Sequence, residues 1–460
     1  MEGLLVCGTS SGAGKSTVVT ALCRALARRG IEVAPFKAQN MSNQSAVTVE
    51  GAEIGRAQFA QAEAAGVEPH VTMNPVLLKP VADRRSQVVV LGRPTGTTDG
   101  AGWRPDLGVA LEALRALEAR FDVVVAEGAG SCAELNLLDR DIANLPLARA
   151  AGLPALLVAD IDRGGVYASV AGTVAVLPDD LRSCLRAIVV NKLRGDPAVF
   201  DRALLAEAGG LAVLGVLPWL EGRLPDEEDG LDLSLASAPA AAVLDVAVVG
   251  WPRLANATDL EPLLAEPGVA VRMVRTASQL GRPHLVVLPG TKATVADLRW
   301  LHAVGLATAI AATDPARTTV LGICGGLQVL GRWIDDPGVE SGDGRIDGLA
   351  MLDLTTTFVR EKLVRRHPDG GYEIRHGRLD PERDWFESDD GSVWGTPVHG
   401  RFADDGWRTR LLDRVAARAG TAWRPSGVSW TATRRAHHDR LADWLEDAVD
   451  VDAVLDMVGG

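Results

Sequence analysis

The chain has 460 residues, 47% of them hydrophobic, with 8 histidines, 5 cysteines and a formal net charge of -13. That length exceeds one ordinary core and implies two domains or three, and the acidic balance excludes a general nucleic-acid footprint, which needs a basic surface. The cysteines (Cys7, Cys23, Cys132, Cys184, Cys324) keep neither metal nor disulfide spacing, Met1–Cys7 lacks the lead-in of an export signal, and every apolar run is broken before membrane-spanning length. A cytoplasmic protein without a membrane partner is expected. A small anionic ligand on a local basic patch stays compatible with the charge.

In chain order, the apolar run Leu4–Cys7 leads into Gly8-Thr-Ser-Ser-Gly12-Ala-Gly14-Lys15-Ser16-Thr17 and then a helix through about Arg29, with Val19, Leu22, Cys23 and Leu26 on one stripe. Strand, glycine-rich loop and helix are the context of a P-loop. Backbone N–H groups from Gly12 to Thr17 cradle phosphate oxygens, Lys15 reaches the terminal phosphates, and Ser16 offers a hydroxyl to Mg2+. One position departs from the strict pattern: Thr9 stands six residues before the lysine, with Gly8 one place early.

Ile31–Phe36 predicts a second strand that delivers Lys37, Gln39, Asn40 and Ser42 to its C-terminal end, where ligands bind in parallel sheets. These residues suit an anionic substrate or a second phosphate contact, and equally an ordinary solvated loop. Glu53–Ala65 reads as helix, and Met73–Pro80 as a strand edge closed by proline. Phe121–Ala126 reads as a strand buried on both faces. It ends in Glu127, either a magnesium partner or a solvated loop carboxylate. Ala155–Ala159 repeats the design and ends in Asp160, Asp162 and Arg163; Ala187–Val190 ends in Asn191; Val213–Leu217 is the last strand of the set. The alternation predicts an α/β fold with a doubly wound, mainly parallel sheet over residues 1–224.

An acidic, then small-residue-rich stretch marks a linker over 225–243. Strands resume at Leu244–Val249, Val269–Val274, Leu285–Leu288 and Val320–Ile323, which predicts a second α/β domain over 244–440 and a tail over 441–460. The fourth of these strands runs into Gly322-Ile-Cys324-Gly-Gly326, the cysteine counterpart of a nucleophile elbow. Alone, the segment fits a buried cysteine in a glycine-rich bend equally well. Two features support the nucleophile. Gly290, in a tight turn after Leu285–Leu288, could supply an N–H that joins that of Gly325 in an oxyanion hole. His399, after the short apolar run from Val393, supplies a base, as a Cys–His pair needs for acyl transfer. His376 is its main rival.

Cys324 with His399 resembles a class I glutamine amidotransferase domain, and the N-terminal half resembles the dethiobiotin-synthetase-type P-loop ligases. The order of the halves, with the blocks at Phe36–Ser42, Glu53–Gln58, Met73–Lys79, Arg140–Asn144 and Ala159–Gly165, is similar to the cobyric and cobyrinic acid amidase family in its cobyric acid synthase branch. That resemblance extends to about residue 405. It implies ATP, Mg2+ and L-glutamine as reactants and amidation of carboxylates b, d, e and g of adenosylcobyrinic acid a,c-diamide, a corrinoid. It also implies Cys324 as nucleophile, His399 as base, and Asn191 near the adenine. The glutamate usual two residues after the histidine is Arg401 here, which implies a Cys–His dyad. The alternatives are the sister amidase acting on carboxylates a and c, or a P-loop switch ATPase with a degenerate second domain. A homo-oligomer stays open.

Overall fold

The computed structural model describes residues 3–82, 84–100, 103–221 and 242–458, so the expected linker lies outside the described residues except for 242 and 243. The first domain is built on six parallel strands in the spatial order Ala212–Pro218, Leu185–Leu193, Ala155–Asp160, Gly3–Gly8, Val123–Glu127, Val33–Phe36. Strands such as Ala155–Asp160 are buried at every position, as a sheet covered on both faces requires. The helix Lys15–Arg28 packs Val18, Leu22 and Leu26 on one face. Leu107–Glu118, Leu145–Ala151 and Val166–Val176 cover the other.

Beside this sheet lies a four-stranded one, Gln39–Met41, Val76–Ala82, Arg85–Val90 and Arg93–Thr98. Pro80 does not close its strand as expected. It continues to Ala82, with Pro80 opposite Ser86 on one side, while Gln39–Met41 pairs only as far as Leu78 on the other. A proline is tolerated where that edge is free. Nor is Glu53 helical: Glu53–Gly55 pairs with Ser45–Val47, and the helix begins at Arg56.

The second domain has Val269–Val274, Leu244–Val249, Leu285–Leu288, Thr319–Ile323 and Val393–Thr396 in parallel order, closed by antiparallel Phe386–Glu387. A second sheet of Gly344–Asp347, Trp333–Asp336, Thr355–Arg366 and Tyr372–Asp380 sends its long hairpin to the first domain. There Tyr372 Oη donates to Ser45 O at 3.0 Å. Asn256 Oδ1 accepts the Ser45 N–H at 3.0 Å, and Gln44 Oε1 accepts that of Ala257 at 2.7 Å.

The expected domain end at 440 falls inside the helix Trp430–Glu446, which returns to the first domain. Arg24 and Arg28 reach Asp439 and Asp443 at 2.7 and 2.5 Å, and Leu441, Leu445, Val451 and Val454 join that domain's core. The chain end therefore clamps both halves. Among the described residues no helix is long and apolar enough to cross a membrane.

Candidate active site

Cys324 stands where the strand Thr319–Ile323 turns into the short helix Gly325–Leu330. Its φ of 50° and ψ of -106° are strained for a residue with a side chain, as at other functional elbows. The flanking glycines supply space: a Cβ on Gly322 would lie 2.7 Å from Leu327 Cα, and one on Gly326 would collide with the Leu288 carbonyl. The Cys324 N–H donates to Thr396 O at 2.8 Å, which ties the elbow to the strand leading to His399.

His399 lines the same cavity as Cys324, whose Sγ–H donates to Ile374 O at 3.8 Å. The imidazole Nδ1 lies 2.6 Å from Asp259 Oδ2, with both side chains almost wholly buried, and Asp259 Oδ1 accepts the Gly400 N–H at 2.8 Å. A carboxylate only accepts, so Nδ1 carries the proton and Nε2 is left for the sulfur. Burial alone would push the imidazole down, but Asp259 and Cys324 outweigh it and raise its pKa to about 10. Tyr372 stacks on the ring at 5.3 Å and pairs with the His399 backbone, so the residue bonded to Ser45 of the first domain also holds the imidazole.

The expected dyad is therefore corrected: a third group, Asp259, comes from 140 positions upstream. It sits in the 3-10 turn Ala257–Leu260. Arg401 ion-pairs with Asp369 instead. His376 lines the same cavity, but its nitrogens lie near Val359 O (3.1 Å) and Gln87 Nε2 (3.3 Å), and burial beside Lys292 and Lys362 lowers it to about 4.

Gly290 and Gly325 border the cavity with Cys324 and His399, and a Cβ on Gly290 would lie 2.7 Å from His399 Cε1. Lys79 of the first domain also lines the cavity. The cavity of about 40 Å3 holds a few water-sized molecules.

In the other lobe, Lys15 spans the loop mouth, its Nζ donating to Gly130 O at 2.7 Å and Ser10 O at 3.2 Å. Gly12 and Gly14 take left-handed φ of 69° and 94°, and a Cβ on Gly14 would collide with the Asn191 amide. Asn191 Nδ2 donates to Ala13 O at 2.9 Å, and Thr17 is half-buried in the helix's first turn. Asp160 and Asp162 accept from Lys192 at 2.9 Å and Arg194 at 2.6 Å, and Arg163 lies beside Gly12. These three expected substrate-side residues stand on the Asn191 side of the loop.

On the opposite side, Glu127 Oε1 accepts from Ser16 Oγ at 2.7 Å and Lys37 Nζ at 2.8 Å, and Oε2 accepts from Gln61 at 2.6 Å. Burial works against the carboxylate's charge, but Lys37, Gln61 and Ser16 outweigh it and hold it below the usual range. A hydroxyl and an ionised carboxylate this close are hard oxygen donors that suit Mg2+. Asn40 and Ser42 are buried rather than solvated, Asn40 donating to Gln58 Oε1 at 2.8 Å and Ser42 Oγ accepting from the Gln44 N–H at 3.0 Å; Gln39 is half-buried.

Residues 4–231 match the CobQ/CobB/MinD/ParA nucleotide binding domain, and residues 245–407 match the CobB/CobQ-like glutamine amidotransferase domain. The chain is 49% identical to the cobyric acid synthase of Mycolicibacterium paratuberculosis strain K-10, over 99% of this chain and 97% of that protein. It is 46% identical to that of Frankia casuarinae, over 98% and 96%. Among solved structures it aligns with the MinD cell division protein of Aquifex aeolicus at 13% identity and TM-score 0.28, over 47% of this chain and 82% of that one.

Proposed function

Because this chain belongs to the cobyric acid synthase family, we propose that it converts adenosylcobyrinic acid a,c-diamide to adenosylcobyric acid by amidating carboxylates b, d, e and g in the cytoplasm. The chain is a glutamine-hydrolysing amidoligase of cobalamin biosynthesis, with a nucleotide-binding domain and a glutamine amidotransferase domain.

In the amidotransferase domain, His399 takes the Cys324 proton and the thiolate attacks the side-chain carbonyl of glutamine. The N–H groups of Gly290 and Gly325 receive the developing oxyanion. As the C–N bond breaks, His399 returns the proton to the nitrogen and neutral ammonia leaves. Water, deprotonated by the same imidazole, then hydrolyses the thioester to glutamate. Asp259 keeps the ring in the tautomer this needs and stabilises the imidazolium.

A carboxylate is a poor electrophile because its charge repels nucleophiles and oxide leaves badly. Transfer of the γ-phosphoryl of ATP gives an acyl phosphate from which ammonia displaces phosphate. Gly12 to Thr17 and Asn191 hold the nucleotide, and Lys15 lies at the terminal phosphates. Ser16 and Glu127 would hold Mg2+, which when bound neutralises charge on the phosphates. Lys37, fixed on Glu127, stands between the phosphates and the corrinoid, with Gln39, Asn40 and Ser42 beyond it and Asp160, Asp162 and Arg163 across the loop.

One observation carries this two-site scheme: Cys324 and a buried His399–Asp259 pair share a cavity that Lys79 of the nucleotide-binding domain also lines. Cys324→Ala tests it. Amidation driven by glutamine should be lost while amidation driven by ammonium chloride persists; equal loss of both in a folded protein contradicts the scheme.

A further inference from the structure

A second cavity, outside the chemistry above, opens where both domains meet the returning C-terminal helix. Its volume is about 540 Å3, against about 40 Å3 at Cys324, and no residue lines both. Sites for small ligands measure about 300–1,000 Å3. Arg24 and Arg56 line it from the helices Lys15–Arg28 and Arg56–Ala65 of the first domain, Arg366 from the long hairpin, and Arg434 and Arg435 from the helix Trp430–Glu446. Arg24 follows Lys15 by nine residues, about 14 Å along the helix, so the cavity is remote from the nucleotide loop.

The charge of this lining is opposite to that of the chain. Five arginines stand with three carboxylates, Glu63, Asp259 and Glu261, in a protein whose formal net charge is -13. Two of the three acids are engaged: Glu63 ion-pairs with Arg434 at 2.5 Å, and the oxygens of Asp259 meet His399 and the Gly400 N–H. Arg24 and Arg366 pair with Asp439 and Glu68 at 2.7 Å each, but those acids are 40% and 56% exposed, and ion pairs so open to water are weak. Guanidinium forks bind phosphate and carboxylate groups two oxygens at a time. Arg56 lies over the Phe59 ring at 4.9 Å, and the buried Trp430 adds a second aromatic wall on which the body of a ligand can lie.

From the second domain the cavity is lined by Asp259, Tyr372 and Gly400. Asp259 and Tyr372 are the side chains that hold the imidazole of His399, which itself borders the cavity of Cys324. Arg366 is the cross-strand partner of Tyr372. An anion that fixes Arg366 against Arg56 therefore also fixes the ring stacked on His399.

We propose that this cavity is an effector site for a small polyvalent anion, bearing phosphate or carboxylate groups, whose capture by the arginines raises glutamine hydrolysis by steadying the wall behind His399. The effect on rate rests on the glutamine hydrolysis proposed for Cys324 and on nothing in the nucleotide lobe. The anion acts only by favouring the arrangement in which that wall is fixed.

Pyrophosphate and tricarballylate are the probes, titrated into the full chain by calorimetry without nucleotide or Mg2+. Glutamate release from glutamine is measured with and without each. At least one probe should bind saturably and raise glutamate release about fivefold or more, and which one does so separates a phosphate ligand from a carboxylate one. Arg366→Gln and Arg435→Gln should each weaken that binding about tenfold, as loss of a hydrogen bond between charged groups does, and abolish the stimulation. Binding that neither variant weakens belongs to the nucleotide loop and overturns the site, as does a failure of both probes to bind. Binding that the variants weaken but that leaves glutamate release unchanged overturns the effector role. A wild type that releases no glutamate under any condition contradicts the reaction at Cys324, while calorimetry still decides the anion site. Should Arg366→Gln not fold, Arg435→Gln, at an exposed position, decides.

Discussion

Replacing Asp259 by asparagine removes one charge from the buried pair and keeps its shape. The rise of His399 from an ordinary 6.5 to about 10 corresponds to about 5 kcal/mol of preference for the protonated ring, shared between Asp259 and Cys324. Assigning Asp259 about half gives 2–3 kcal/mol, or roughly 30- to 150-fold in glutamine hydrolysis. The assay is glutamate release, with ammonium-driven amidation as the control that should change little. The pH profile should move as well, because an asparagine does not stabilise the imidazolium. The same charge also bears on stability. A raised histidine stabilises the fold fully below pH 6.5 and loses that contribution as pH rises through about 10. The wild type should therefore lose more stability than Asp259→Asn between those values. A loss of activity under about threefold, with an unshifted pH profile, would refute a role for Asp259 in holding the base.

Three further outcomes follow from local geometry. Gly326→Ala forces a methyl group into the Leu288 carbonyl, which is backbone and cannot yield, so thermal unfolding should report a loss of about 3 kcal/mol or more. Gly14→Ala meets both a left-handed φ of 94° and the Asn191 amide. Calorimetry should show ATP binding weakened about tenfold or more, while glutaminase activity survives. Glu373 is held at about 2 by Arg375 and Arg365 against the opposing effect of burial. Its contribution is full above pH 4.5 and is lost as pH falls through about 2, up to about 3 kcal/mol. The stability gap between wild type and Glu373→Gln, read by urea unfolding, should therefore narrow from pH 5 to pH 3.

What the sequence disclosed depended on how far apart the cooperating residues lie. The P-loop and the cysteine elbow are contiguous, and their glycines are needed for space and left-handed turns, so a short window carries their meaning. Asp259 is different: next to Thr258 and Leu260 it reads as an acid at a helix start, and only the fold brings it to an imidazole 140 positions away. Glu53, Lys79 and Lys362 lie far apart in the chain, so nothing in a short window pairs their charges. The approach of the second domain removes their water, and Glu53 forms a strand because the Ser45–Val47 partner is there. The charged face of Trp430–Glu446 likewise reads as a solvated tail until Arg24 and Arg28 of another helix supply its partners.

The central claim is that nitrogen freed at Cys324 reaches the acyl phosphate without mixing with the solution. Amidation run with glutamine labelled with nitrogen-15 in its side-chain amide, in the presence of unlabelled ammonium, tests this directly. Mass analysis of the corrinoid product should find the label in every new amide, undiluted by the ammonium outside. Product carrying mainly unlabelled nitrogen contradicts internal transfer.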